Sequence, residues 1–161
     1  MACVEDAYDS DPTAAVEAVF RRIHHQRMVG LPICNAALSV AVLGFQPWQG
    51  DWVGALVAPW AINLLMLPGG GAFRALSVGQ TQDWVFPSGN YTFMGSREPG
   101  LGAYQFCSLF SPLSGFSDQS EAEAVAQAAL VGLLTAPPEA QTPPLGRRAF
   151  LRTALGRRVS A

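Results

Sequence analysis

Helical periodicity occurs at both ends of this chain, and between them the apolar residues fall into short stretches cut by glycine and proline. Near the start, Val16, Val19, Phe20 and Ile23 recur at helical spacing. Asp11 is placed to cap that helix, and Pro12 suits its first turn. Arg21, Arg22 and Gln26 fall on the opposite side, towards water, and Gly30 and Pro32 end the pattern. A second helix is predicted from Ser117 or Asp118 to Leu134, where Asp118 and Glu121 have capping-box spacing. Ala122, Val125, Ala126, Ala129 and Leu133 form its buried stripe, and Pro137-Pro138 forbid continuation.

The middle of the chain reads mainly as strand. Residues 37–45 alternate Leu38, Val40 and Val42 with Ser39, Ala41 and Leu43. The loop Gln46-Pro47-Trp48-Gln49-Gly50-Asp51 leads to a second apolar run, 52–58, and the pair reads as an antiparallel hairpin with a long turn. Pro59-Trp60 then opens 61–67, predicted as a short helix stopped by Pro68 and three glycines. Strands are expected at 73–78, 83–86, 91–94 and 103–110, punctuated by Ser88-Gly89-Asn90 and Arg97-Glu98-Pro99-Gly100. The expected fold is a single α+β domain with a largely antiparallel sheet, an N-terminal helix, a short middle helix and a C-terminal helix. Its folded body spans 12–135, behind an acidic, flexible N-terminus over 1–11. A proline-rich linker over 136–146 and a basic tail complete residues 136–161.

Half of the residues are apolar and 14% are charged, so a sizeable core is available and disorder throughout is not expected. The charge is unevenly placed. Residues 1–140 carry five arginines against twelve acids, a net of −7, whereas 141–161 carry five arginines and no acid, a net of +5. No broad basic face suits nucleic acid. The longest apolar stretch, 53–67, is broken by Gly54, Pro59 and Asn63 and is too short to span a bilayer. The N-terminus lacks a secretory plan, which predicts a soluble, cytoplasmic protein.

Catalytic chemistry is hard to find. Cys3, Cys34 and Cys107 are isolated and lack C-x-x-C spacing, which speaks against a disulfide framework or a metal site. Cys34 and Cys107 read as small buried hydrophobes. His24 and His25 are adjacent, about 100° apart on a helix, so they do not face one metal together. Gly69-Gly70-Gly71 lacks the lysine of a phosphate loop and reads as a flexible link. Asp83 and Glu98 are read as solvated carboxylates at loop edges. No nucleophile, base and orienting group assemble. The expectation is therefore a protein that is not an enzyme, with no metal and no cofactor. Two rivals are an α+β module that binds a small molecule or cofactor in an aromatic pocket, and a thiol enzyme using Cys34 or Cys107.

Aromatic residues beside turns are numerous: Trp48, Trp52, Trp60, Trp84, Phe86, Tyr91, Tyr104, Phe110 and Phe116. Core filling accounts for most of them. Trp60 follows a proline at an element boundary, however, and Leu109-Phe110-Ser111-Pro112-Leu113 is an apolar run in expected loop. Exposed aromatics on a rigid scaffold suit polypeptide binding.

Several segments carry a resemblance. They are Gly30-Leu31-Pro32-x-x-Asn35-x-x-Leu38, Val40-x-x-x-Gly44-Phe45, and Gly54-x-Leu56-Val57-x-Pro59-Trp60-x-x-Asn63-Leu64-x-x-x-Pro68. Phe86-Pro87-x-Gly89-x-Tyr91-x-Phe93 and Gly100-Leu101-Gly102-x-Tyr104-Gln105-x-Cys107-Ser108-Leu109-Phe110-Ser111-Pro112 follow. Together they resemble the HybE/HupJ/HoxT family of [NiFe]-hydrogenase assembly chaperones over roughly residues 12–135. The resemblance implies a cytoplasmic partner, the hydrogenase small-subunit precursor. Its twin-arginine signal must not engage export before its clusters and the large subunit are in place, and the large subunit is a further candidate partner. Some relatives carry an added rubredoxin domain; without a C-x-x-C pair here, its iron-carrying role is not transferred. Within this reading the expected contact residues are Trp60, Asn63, Leu64, Phe86, Tyr91, Tyr104, Phe110 and Pro112. Asn63 is either satisfied by its own backbone or holds a client's main chain.

Near the other end, Gly146-Arg147-Arg148-Ala149-Phe150-Leu151-Arg152 resembles the core of a twin-arginine signal. No apolar stretch follows, because Thr153-Ala154-Leu155-Gly156 runs into Arg157-Arg158, so it does not serve as an export signal. Two readings stand: a basic tail with a chance match, or a mimic of the client's signal in which Arg147, Arg148, Phe150 and Leu151 occupy the client's groove.

Overall fold

The structure, a computed structural model, describes residues 7–137. Helix α1 (Thr13–Ile23) runs directly into a π-helical turn, His24–Met28. Six strands follow: β1 (Ala41–Trp48), β2 (Asp51–Ala58), β3 (Ala61–Leu67), β4 (Thr81–Phe86), β5 (Gly89–Glu98) and β6 (Gly102–Phe110). Helix α2 (Gln119–Leu133) closes the described part. The strands form one antiparallel sheet in the order β1-β2-β3-β6-β5-β4. The α+β class is as expected. The basic segment 147–152 and the linker beyond Pro137 lie outside the described residues, as does Cys3.

The α2 cap forms at the residue anticipated: Asp118 accepts a hydrogen bond from the Glu121 amide at 2.8 Å. At α1 the capping position falls instead on Pro12, which offers no side-chain acceptor, and Asp11 one residue earlier accepts from the Thr13 amide at 2.9 Å. Such caps satisfy donors that a helix start leaves unpaired. The Glu121 carboxylate in turn accepts from Ser117 Oγ at 3.1 Å. Val16, Val19, Phe20 and Ile23 are buried on α1, and the predicted α2 stripe is buried with Leu130 added.

Three local expectations need correction. The short middle helix is instead strand β3, paired on both sides by β2 and β6. Its side chains alternate between two covered faces: Ile62, Leu64 and Met66 join the α2 cluster, while Leu65 and Leu67 join the α1 cluster. A strand buried on both sides shows a continuous apolar run without a two-residue period, and its Leu and Met content imitates a helix. The long turn after β1 is a two-residue turn, Gln49-Gly50, with φ of 47° and 87°. Those positive φ values match the hairpin turn whose twist follows that of its strands. Pro47 suggested a loop, yet β1 is an edge strand, where a missing N–H is tolerated. Residues 73–78 form no ladder. The Phe73, Arg74 and Ser77 amides donate instead to the side chains of Asp51, Gln82 and Gln80.

The sheet curls strongly about α2. β1 and β4 are opposite edges, yet the Trp48 ring stacks on Phe86 with centroids 5.2 Å apart. The loop after β3 closes the adjoining end. Gln105, fully buried on β6, accepts from the Trp84 indole at 2.7 Å and donates to Gln82 Oε1 and the Arg74 carbonyl. Asp51, 1% exposed, accepts from the Gly69, Gly71 and Phe73 amides at 2.9–3.1 Å. This is why glycines stand there: a Cβ on Gly69 would lie 2.4 Å from the Gly50 carbonyl oxygen, and one on Gly71 2.4 Å from that of Gln49. The glycine run is thus a carboxylate cradle rather than a loose link.

Candidate functional site: the open sheet face beside Trp60

Helix α1 lies on the other side of the sheet but covers only part of it. Val42, Leu56, Leu65, Leu67 and Tyr104 are buried beneath it, on β1, β2, β3 and the first part of β6. Further across, burial fades. Asn63 on β3 and Phe106 and Ser108 on β6 are half-buried, and Thr92 and Met94 on β5 and Asp83 and Val85 on β4 are exposed. Val85 is 71% and Met94 42% exposed, so this part of the sheet presents apolar side chains to water on either side of the Asp83–Thr92 pair. Register places these residues side by side: Leu65 faces Phe106, Phe106 faces Met94, and Met94 faces Thr81. Asp83 faces Thr92, whose hydroxyl donates to its carboxylate at 2.6 Å.

The π-helical turn borders this surface. Such turns interrupt a helix's ordinary spacing and are frequent at functional sites. His24 lies with its ring 6.0 Å from that of Trp60, in the β2–β3 turn, and Met28 and Trp60 both pack on the α1 cluster. Arg27 pairs with Glu98 at 2.8 Å, and Arg22 donates to the Pro99 carbonyl, so the turn is tied to the β5–β6 hairpin. Asp83 and Glu98, read as solvated carboxylates, therefore both hold partners.

Three loops meet at the same end. The Asn35 amide N–H donates to the Pro59 carbonyl at 2.8 Å, and its side-chain nitrogen donates to the Leu113 and Phe116 carbonyls at 2.9 and 2.8 Å. Its side-chain oxygen accepts from the Ala37 amide at 2.9 Å. Ser111 Oγ donates to the Trp60 carbonyl at 3.3 Å. A cleft of about 370 Å³ lies between the 32–36 loop and Pro112, Ser114 and Phe116. Exposed Val29, Leu31 and Ile33 extend the apolar surface along that rim.

The expected contact residues divide accordingly. Trp60 and Phe110 are half-buried and Pro112 is exposed, all at this end, with Asn63 on the adjoining sheet. Leu64, Phe86 and Tyr91 lie instead in the core beneath α2, and Tyr104 in the core beneath α1. A ladder shift between Ile62 and Asn63 lets β6 turn Leu109 and Phe110 towards α2, where Phe110 meets Phe116 edge-on at 5.6 Å. The Asn63 side-chain oxygen is buried and has no hydrogen-bond partner among the described residues. Burial raises the pKa of both Tyr91 and Tyr104 above the ordinary tyrosine value. Sequence reasoning missed Asn35, the π-helical turn and the Phe106–Met94–Val85 surface. A signal for the last was present: Met94 follows buried Phe93, and Val85 follows buried Trp84, so both occupy positions where alternation predicts polar residues.

The chemistry of this region is contact chemistry. His24 and His25 sit on the π-helical turn with rings 5.4 Å apart. Among the described residues no three His, Cys, Asp or Glu side chains gather as a metal site. Cys107 is buried beneath α2, and Cys34 is half-buried with its thiol 3.1 Å from the Met28 carbonyl oxygen. The clefts are open depressions rather than a closed apolar pocket. No described helix is long and apolar enough to cross a membrane. A curled sheet with one face sealed and the other left partly bare beside a braced set of loops offers a surface suited to contact with another polypeptide.

Comparison with known proteins agrees with that reading. The chain belongs to the family described as [NiFe]-hydrogenase assembly, chaperone, HybE, whose model matches residues 11–153. This is a family of assembly chaperones, not of enzymes. Protein HoxT of Cupriavidus necator is 39% identical over 163 residues, covering 90% of each chain. A probable rubredoxin HupJ of Rhodobacter capsulatus is 38% identical over 130 residues, covering 80% of this chain and 47% of that protein. The chain thus spans about half the length of that relative. The solution structure of HybE from Escherichia coli superposes with a TM-score of 0.64 at 27% identity, over 89% of this chain and 90% of that one.

Proposed function

We propose that this hydrogenase assembly chaperone acts in the cytoplasm on the precursor of a [NiFe]-hydrogenase small subunit. It holds the N-terminal twin-arginine signal until cofactor insertion and assembly with the large subunit are complete. The observation that carries this reading is the bare half of the α1-side sheet face, which presents Phe106, Met94 and Val85 on β6, β5 and β4 and is bounded on its far side by the β2–β3 turn that carries Trp60. A client segment laid there covers apolar surface that the fold leaves in water. Asp83 offers a carboxylate to a client arginine, and a forked guanidinium contact suits it well. Asn63 stands at the border with a buried oxygen that accepts nothing within the described protein, a state that costs about 1–3 kcal/mol. Turned outward, that oxygen can accept a client main-chain N–H, which makes Asn63 the polar contact beside Trp60, with Phe110 and Pro112 as apolar anchors on the neighbouring loop rim.

Titration of the purified chain with a small-subunit precursor, and with the same subunit lacking its signal, tests the reading. The expected result is at least a tenfold loss of affinity without the signal, about 1.4 kcal/mol. Equal affinity for both would move recognition to the mature subunit. Absence of binding to either would overturn the proposed client.

A further inference from the structure

We propose that in the client-free protein the open sheet face is occupied by this chain's own residues 147–152. The inference rests on the reading of that face as the client site, and deepens it by adding an internal competitor.

Four observations converge. First, the face carries exposed Val85 and Met94 and half-buried Phe106, with the Asp83 carboxylate among them. Second, Arg147-Arg148-Ala149-Phe150-Leu151-Arg152 supplies the complement: guanidinium groups for the carboxylate, and a Phe-Leu pair for the apolar row. Third, the charges are complementary on a larger scale, because 141–161 carry +5 and 1–140 carry −7. Fourth, the point of departure is close. The Leu133 carbonyl at the end of α2 accepts from both the Ser88 amide and Ser88 Oγ, so the described chain ends beside the β4–β5 turn. Asp83 lies three residues back along β4 from Phe86, about 10 Å at strand spacing. Nine residues lie between Pro137 and Arg147, and the ten steps from one to the other span about 30 Å when extended. The tether therefore reaches round the β4 edge onto the open face.

Such a contact need not be strong. A tethered segment experiences an effective concentration of about 1 mM. With an intrinsic dissociation constant of about 0.3 mM it would hold the face about three-quarters of the time and weaken client binding about fourfold. A client with a better-fitting signal displaces it, so the bare apolar surface is shielded only while unused.

The test uses the full chain with Arg147→Glu, Arg148→Glu and Phe150→Ser together, beside the unaltered chain. Methyl NMR of Val85 and Met94 reads docking without any client. Clear shifts of both methyls between the two proteins, with methyls of the α2-side core unmoved, support the proposal. Unchanged Val85 and Met94 methyls overturn it, whatever the client does. The same two proteins are then titrated with a twin-arginine signal peptide. An affinity about fourfold higher in the altered chain supports competition at a shared face. Shifted methyls with unchanged peptide affinity would leave the tail docked and sink the client reading of that face instead. In the reciprocal variant Val85→Ser, on an exposed side chain, the methyl of Met94 should move towards its position in the tail variant.

Discussion

On the α2 side of the sheet, Ile62, Leu64, Cys107, Phe93, Trp84 and Phe86 form one buried layer running from β3 to the β4 edge. On the α1 side the layer runs from β1 to Tyr104 and then stops, leaving Met94 and Val85 in water. The difference follows from how much each helix has to cover. Curling brings Trp48 onto Phe86 and shrinks the inner face until α2 and the 68–80 loop can seal it. The outer face is correspondingly wider, and α1, eleven residues long, covers only part of it. Under the proposed function, stability is concentrated on the first face and recognition on the second. Changes to the two faces should therefore have opposite signatures.

The largest effect is expected where the inner face is sealed. Asp51→Ala removes a buried carboxylate that accepts three backbone N–H groups at the glycine loop. Amides left without a partner lose their bonds, and hydrogen bonds to charged groups are worth more than neutral ones. A fall in unfolding free energy of about 3–5 kcal/mol is expected, read from urea midpoints. Signal-peptide affinity of the folded fraction should be unchanged. A loss below about 1 kcal/mol would show that the loop contributes little to closure. A large affinity loss in folded protein would erase the division between the faces.

The same contrast explains what the sequence disclosed. Amphipathic helices write their partner surface into a 3.6-residue period, so α1, α2 and the Asp118 cap could be read from Val16-Val19-Phe20-Ile23 and its counterpart. The strand order could not, because pairing joins β3 to β6 across the whole β4–β5 hairpin. β3 itself was misread because both its faces are covered, which erases alternation. Trp60, Phe110 and Pro112, singled out from their positions at turns, do lie partly or fully exposed at the loop end of the sheet. Leu64, Phe86, Tyr91 and Tyr104 have the same composition but sit in the core, and composition does not separate a groove aromatic from a core aromatic. Asn35 was hidden for another reason: its role is to join the Pro59 turn to the 113–116 loop, contacts about 80 residues apart in sequence.

A smaller stability effect, with a larger functional one, is expected on the open face. Val85→Ser and Met94→Ser alter exposed side chains and should change stability by no more than about 0.5 kcal/mol. Together they should weaken signal-peptide binding at least fivefold, measured by calorimetric titration. Trp60→Ala belongs between the two classes, since its half-buried ring packs on the α1 cluster and beside His24. It should cost about 1–2 kcal/mol of stability and about tenfold in affinity, as anchors at an interface commonly do. Unfolding of Trp60→Ala would assign it to the core. Unchanged affinity in the Val85→Ser, Met94→Ser protein would move the client off the sheet face and onto the Leu31–Ile33–Pro112 rim.

The smallest expected effect compares two tyrosines, one beneath each helix. Tyr91 meets Ser88 Oγ at 2.9 Å on the α2 side, and Tyr104 meets Phe20 edge-on at 5.9 Å on the α1 side. Burial disfavours the phenolate at both and raises both pKa values above the ordinary value near 10. For Tyr91 the Ser88 hydrogen bond offsets part of this and the Cys107 charge adds to it. For Tyr104 Ser96 and Arg27 lower the value while Glu98 raises it. The sign follows from proton counts. Above about pH 10 the unfolded chain has shed tyrosine protons that the folded chain retains, so unfolding becomes easier as pH rises. The associated stability is fully present below the unfolded value and is lost on passing through the folded one. This chain contains no lysine, so no ammonium side chain titrates alongside the tyrosines near pH 10. Urea midpoints should hold level from pH 7 to 9 and fall above about pH 10. Tyr91→Phe and Tyr104→Phe should each flatten that fall. If only Tyr91→Phe flattens it, the α1 side admits water to Tyr104 readily enough to let it ionise in place, and the open half of that face extends further under the helix than the static packing indicates.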